Sequence, residues 1–356
     1  MAVGGLATRT RKEVARRADV SVATVSAVLN KNRYVSPELT ERVQRIVDEL
    51  GYRPNAIARS LSNQSTLTVA LIIPNILSPF WPIVVKAAED RAALAGYRIL
   101  LQNTNEDAQQ ERRTLELLDE RQVDGAVLAP VGGDANHAYL RQLLDRGVKI
   151  VLFDRSVESL PLDTVVVDNH AATCQATQHL IEHGRRRIGF IGLPPTISCA
   201  AERLGGYQRA LRMAGLFESL DIVQVGGYDE EWGYASMQRL LASVPDLDGM
   251  VVGAHLLTIG ALRALADAGV RVPDQIAMIG FDDFPWTPCL NPPLTVVAQP
   301  QAEMGRAAMD LLLRRMNSVE AFPPDRRELC CCLILRRSCG CEFPRDRLVN
   351  PGGDQE

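Results

Sequence analysis

The sequence predicts an α/β chain in two unequal parts: a small all-α helix-turn-helix head with a short hinge helix, then two doubly wound parallel-sheet lobes. Three observations predict it. A compact helix-turn-helix pattern opens the chain. From Leu67 onward, β-branched strands alternate with helices. And 356 residues are too many for one core but enough for two or three domains.

The composition is that of an ordinary globular chain, 46% apolar and 23% charged with a mean hydropathy of −0.03. No run of about eighteen apolar residues is present to cross a membrane. Residues 1–11 carry no apolar stretch of a secretory signal, so the expectation is a cytoplasmic protein with no membrane partner. The net charge of −4 hides an asymmetry: residues 1–66 hold eleven Lys and Arg against six Asp and Glu, a balance of +5, and the remainder carries −9. A basic head on an acidic body is the electrostatic footprint of a nucleic-acid-binding module joined to something else.

In the head, TRKEVARRADVSVATVSAVLN begins at Thr10, and its first helix carries Val14, Ala15 and Ala18 on one face. Asp19-Val20 turns the chain. Ser21 then caps a second helix, because its hydroxyl can accept from an orphan N–H of the first turn. Val25, Val28 and Leu29 form the apolar stripe of that helix; the opposite face shows Val22, Ala23, Ser26 and Ala27. Small uncharged residues suit a helix that enters a DNA major groove closely, with a generic helical hairpin as the alternative. A third helix starts at Ser36-Pro37, buries Val43, Ile46, Val47 and Leu50, and stops at Gly51. YRPNAIARSL, from Tyr52 to Leu61, is a helical pattern too short to be stable alone, and so a candidate for folding on binding.

The body's strands are TVALIIP, YRILLQNT, GAVLAP, KIVLFD and DTVVVD, then IGFIG, GMVVGA and IAMIGFD. Between them lie helices such as 84–94, 109–121 and 172–183, with Gly96, Gly125, Gly147, Gly184 and Gly269 as stops before the next strand. This rhythm predicts parallel sheets covered on both faces, with ligands at the carboxyl ends of the strands. No P-loop, nucleophile elbow or dinucleotide fingerprint is present, so neither an enzyme nor a cofactor is expected. His179 and His183 lack the Glu of H-E-x-x-H and are read as a helix face. Five of the eight cysteines crowd the end: Cys330, Cys331, Cys332, Cys339 and Cys341. Neither CCC nor CxC has ordinary zinc spacing. The triplet is therefore read as reduced thiols packed in a strand, and no metal site is expected.

VSVATVSAVLN, VSPELTERV and YRPNAIARSL resemble the headpiece and hinge of the lactose/galactose-repressor (LacI/GalR) family, and the similarity runs nearly ungapped to Arg337-Ser338. The resemblance implies a headpiece at 1–53, a hinge helix and linker at 54–66, a two-lobed periplasmic-binding-protein-like effector and dimerisation domain at 67–340, and a tail at 341–356. It implies a homodimer on a near-palindromic double-stranded DNA operator, each recognition helix reading one half-site and the hinge helices pairing in the minor groove. By position, the DNA-contacting residues are Ser21, Val22, Ala23, Thr24, Ser26, Ala27, Asn30, Arg33, Tyr52, Asn55, Ala58 and Leu61, with Leu61 the wedge in the central base step. Val22, Ala23 and Ala27 would read thymine methyls, Thr24 and Ser26 would touch phosphates, and Arg33 would add a polar contact.

In the body the resemblance puts Phe80 and Trp81 of NILSPFW, Asp154, Arg203 of SCAAERLGGY, Tyr228, Asp282 of IGFDD and Gln299 around a small-molecule effector. Where many relatives have Asn-Asp after GMVVG, this chain has Ala254-His255, implying a site poorer in hydrogen-bonding groups. The tail lacks the leucine heptads of a tetramerising coiled coil, which leaves a dimer. The resulting expectation is a transcription repressor controlled by a small polar metabolite such as a sugar or sugar derivative. A solute-binding protein without DNA regulation is the alternative, and the basic head argues against it.

Overall fold

The computed structural model describes residues 10–30, 33–52, 65–120, 122–216, 220–318, 323–341 and 347–349. Two compact units emerge, Met1–Thr66 and Leu67–Glu356. In the first, α1 (Arg11–Ala18), α2 (Val22–Asn30) and α3 (Pro37–Leu50) close over Val14, Ala15, Ala18, Val25, Val28, Val43, Val47 and Tyr52. The caps explain the boundaries. Thr10 accepts from the Glu13 N–H to start α1, and Ser21 Oγ accepts from the Thr24 N–H at 3.0 Å to start α2. Pro37 stands at the entry of α3, where its missing N–H costs nothing, and Gly51 ends that helix at φ 53.

Two head expectations change. Tyr52 is only 8% exposed: its N–H donates to the Val47 carbonyl, folding the chain back over α3 so that the ring joins the core. It therefore supports the head and does not reach outward. Ala27 is also buried, at 8% exposure.

The second unit begins β1 (Thr68–Ile73), α4 (Phe80–Leu94), β2 (Arg98–Asn103), α5 (Ala108–Asp119), β3 (Ala126–Leu128), α6 (His137–Asp145), β4 (Ile150–Phe153) and β5 (Asp163–Val167). It continues α7 (Asn169–Glu182), β6 (Ile188–Gly192), α8 (Ser198–Met213), β7 (Val223–Val225), α9 (Glu230–Ser243), β8 (Gly249–Val252), α10 (His255–Asp267), β9 (Ala277–Phe281) and β10 (Thr295–Ala298). Last come α11 (Gln301–Asn317), β11 (Arg326–Leu329), β12 (Cys332–Leu335) and β13 (Arg347–Val349). One sheet has the order β11-β5-β4-β3-β1-β2, and the other β13-β12-β10-β9-β8-β6-β7. The first is parallel throughout. Its strands β1 and β4 are continuous apolar runs because helices cover both faces.

The second sheet departs from the all-parallel expectation: β12 and β13 run antiparallel at one edge, so residues 347–349 of the expected tail complete a sheet. Because α11 packs on α4 and β11 pairs with β5, the chain passes between the lobes three times: after β5, after β10 and after β11. Cys330 and Cys331 lie in the last passage, so only Cys332 of the triplet is in a strand. Gly96, Gly147, Gly184 and Gly269 do stop helices, with φ between 65 and 85. Gly125 is different: a Cβ there would sit 3.0 Å from the Lys149 carbonyl oxygen, a tight fit that the neighbouring strand would have to widen by a few tenths of an ångström. Among the described residues no helix is long and apolar enough to cross a membrane.

Close backbone approach also joins α9 to α10. A Cβ on Gly260 would lie 2.0 Å from the Glu230 carbonyl oxygen. Gly260→Ala is therefore expected to push the two helices apart at a cost of about 1–3 kcal/mol. In urea titration it should lower the unfolding midpoint at unchanged slope. An unshifted midpoint would show that the pair slides freely.

Candidate functional site

On the head, Ser21, Val22 and Ala23 form the open surface at the start of α2, Thr24 and Ser26 are half-buried, and Arg33 is exposed just beyond. Asn30 is the last residue of α2. Exposed Lys12, Arg16 and Arg17 add positive charge nearby in sequence, although Arg16 and Arg17 share Glu13. Asn55, Ala58 and Leu61 lie outside the described residues. Tyr34 stands 86% exposed, an aromatic that no periodicity in the sequence singles out.

In the body, the carboxyl ends of strands from both lobes converge on one cleft, which encloses about 560 Å³ of empty space with its mouth included. Phe80, Trp81, Asp154, Arg203, Tyr228, Asp282 and Gln299 all line it. Asp154 follows β4 and Asp282 follows β9, both with left-handed backbone at φ 62 and 70. Such a conformation costs a non-glycine residue about 1–3 kcal/mol and persists only where the surroundings enforce it. Here the Asp154 N–H donates to Val165 and the Asp282 N–H to Val297, each bond tying a strand end to the neighbouring strand.

Phe80 and Trp81 occupy the first turn of α4, not a loop. Pro82 falls where the helix has no N–H to satisfy, so the helix starts earlier than the expected residue 84. Their rings meet edge-on with centroids 5.0 Å apart and lean on Phe153, so each is both core and cleft wall. Arg203 is 4% exposed: its Nε donates to Asn169 Oδ1 and its Nη1 to the Gly253 carbonyl, both at 2.8 Å. Its guanidinium lies 3.7 Å above the Phe281 ring.

Asp282 accepts from Gln299 Nε2 at 2.7 Å and faces His255 Nδ1 at 3.0 Å. A carboxylate only accepts, so that imidazole nitrogen donates. Burial pushes Asp282 up, but the His255 hydrogen bond, the Arg203 charge and the Gln299 amide outweigh it and hold the carboxyl below its ordinary range. Asp154 goes the other way: burial raises it, with Arg155 and Arg203 only partly compensating. Arg155 in turn clasps Glu106 with two N–H donors at 2.6 and 2.8 Å.

Four buried polar atoms in this cleft have no hydrogen-bond partner: Ser78 Oγ, Arg155 Nε, His255 Nε2 and Gln299 Oε1. The expectation that Ala254-His255 impoverishes the site is thus corrected, because His255 brings an imidazole into the wall with one nitrogen uncommitted. Glu106, Arg155 and Ser78 were missed. Arg155 follows Asp154 at a strand end, so the carboxyl-end rule was the signal that could have found it. Cys199 also lines the cleft, where burial and Asp154 push its thiol up to about 12, leaving a neutral sulfur.

Away from the cleft, two features read separately in the sequence meet. Cys341 packs against both His179 and His183 on the helix face that carries them.

Comparison with known proteins agrees with this geometry. The family model for bacterial regulatory proteins of the lacI family matches residues 10–55, and that for a periplasmic binding protein-like domain matches residues 177–339. The ribose operon repressor of Halalkalibacterium halodurans is 34% identical over 332 residues, covering 92% of this chain and 96% of its own. The HTH-type transcriptional regulator RegA of Clostridium saccharobutylicum is 32% identical over 315 residues, covering 88% and 94%. Among solved structures, the transcriptional regulator CelR–cellobiose complex is 34% identical, with a TM-score of 0.71 and coverage of 92% of this chain and 99% of that one.

Proposed function

This chain belongs to the lacI family of bacterial regulatory proteins, and from that premise we propose which of its residues do the family's work. It is a DNA-binding transcription repressor, acting as a homodimer on operator DNA under the control of a small-molecule effector. We infer that residues 1–53 read the operator through the Ser21–Ala23 surface, Thr24, Ser26, Asn30 and Arg33, with Asn55, Ala58 and Leu61 acting in the hinge at 54–66. The body, 67–340, senses the effector. Exposed Ile76, Leu77 and Ile83 offer apolar surface for a second copy to cover.

The effector is a sugar or sugar derivative. The observation that carries this is the set of four buried, uncommitted polar atoms in an otherwise satisfied cleft. Burying such atoms costs free energy unless a ligand meets them, and a polyhydroxylated molecule offers both donors and acceptors. Asp282 and Asp154 accept from its hydroxyls, Arg203 donates, and Phe80, Trp81 and Tyr228 contact its apolar ring face. The ribose repressor and the CelR–cellobiose complex among the relatives support the class. The site reads as one for binding, not turnover, since its one thiol is held neutral. Its place of action is the cytoplasm, with the DNA.

Control follows from linkage: a ligand that favours one arrangement of the two lobes shifts the dimer toward the DNA-competent or DNA-incompetent state by its differential affinity. Selection of random duplexes by the full-length dimer at moderate salt is expected to enrich a near-palindrome. A panel of pentoses, hexoses, disaccharides and nucleosides then identifies the effector through thermal shift. Enrichment of asymmetric sequence alone would remove the paired-head reading. A shift only with apolar ligands would remove the sugar.

A further inference from the structure

Helix α7 carries His179 in its last turn and His183 as its C-cap, one turn apart and so on the same face. The chain after β12 brings Cys341 onto that face, with Sγ 3.3 Å from His179 Nε2 and 3.1 Å from His183 Nε2. All three potential ligand atoms lie within 4.8 Å of one another. We propose that His179, His183 and Cys341 bind a thiophilic transition-metal ion, zinc(II) foremost, at a site separate from the effector cleft.

The argument begins with hydrogens. A thiol carries one and can donate to one imidazole, yet this sulfur faces two. His183 Nδ1 lies 2.8 Å from the His179 carbonyl oxygen, which can only accept. Its proton is therefore on Nδ1, and Nε2 turns a lone pair toward the sulfur. Backbone anchoring of the far nitrogen is how metal-binding histidines are commonly oriented. A cation satisfies all three atoms at once. With Zn–N near 2.0–2.1 Å and Zn–S near 2.3 Å, tetrahedral ligands stand roughly 3.5 Å apart, close to the spacing found here.

Position adds two further supports. The site sits at the C-terminus of α7, where the helix dipole favours positive charge. His183 is exposed, which leaves an entry path, whereas Cys341 is 5% exposed and fixed. The thiol proton leaves on binding, so affinity rises with pH.

The test uses reduced full-length protein purified without a polyhistidine tag and titrated with cobalt(II). The expected result is a thiolate-to-cobalt charge-transfer band that saturates at one ion per chain. Cys341→Ser should abolish the band, and Cys330→Ser, at an exposed thiol outside the cluster, should keep it. His183→Ala should weaken binding by more than the roughly 10–100-fold that loss of an outer-shell partner costs. Circular dichroism and operator binding confirm that each variant is folded. Absence of the band in the parent protein, or its survival in Cys341→Ser, would overturn the proposal.

Discussion

Arg203→Ala is expected to give a dimer that still holds its operator but no longer answers the effector. Arg203 reaches from α8 to Asn169, where the chain has just entered the second lobe, and to the Gly253 carbonyl at the end of β8. Truncation strands both acceptors in a buried wall and removes one of the cations that keep Asp282 ionised. Leaving buried polar groups without their partner costs about 1–3 kcal/mol each, and a combined loss of about 3–4 kcal/mol at the site amounts to roughly two to three orders of magnitude in effector affinity. Arg203→Lys separates charge from shape, since an ammonium keeps the charge but cannot make the planar double contact. It should recover stability more than affinity. Calorimetric titration with effector and operator retention with and without it provide the readouts. An unchanged response would move the effector elsewhere.

The second large effect comes from removing residues 1–66. The shortened protein is expected to fold, dimerise and bind effector, and to lose operator and random DNA alike. The head's buried cluster draws only on residues between Val14 and Tyr52, while the body's clusters are assembled from residues beyond 66. The lost segment carries the +5 balance, and what remains is −9, so phosphate attraction becomes repulsion. Fluorescence anisotropy with labelled operator at low salt measures this. Operator affinity surviving the deletion would end the assignment of DNA reading to the head.

Elements governed by local rules were legible in the sequence. Thr10, Ser21, Ser36 and Gly51 mark helix ends because capping depends on residues within four positions of one another. The strand-end aspartates were legible through family resemblance, and their left-handed backbone explains why those positions matter. What stayed hidden depends on long-range approach. The helix expected from residue 84 gains its first turn at Phe80 once Pro82 is seen to stand where no N–H is needed. Tyr52 looks like a hinge residue until its N–H turns back to Val47. His255 looks like an apolar departure until its ring meets Asp282. Cys341 and His179 are 162 residues apart, a separation at which no spacing rule operates.

The three passages between the lobes have a consequence for synthesis. A ribosome delivers the head complete once Tyr52 has emerged, and such a unit can fold at once. Neither lobe can follow it promptly. The first sheet waits for β11 at Arg326–Leu329, and the second waits for β12 beyond it. For most of its translation, the nascent chain therefore carries a finished head with no finished sensor attached. A message cut short before β11 would yield heads that no metabolite can command.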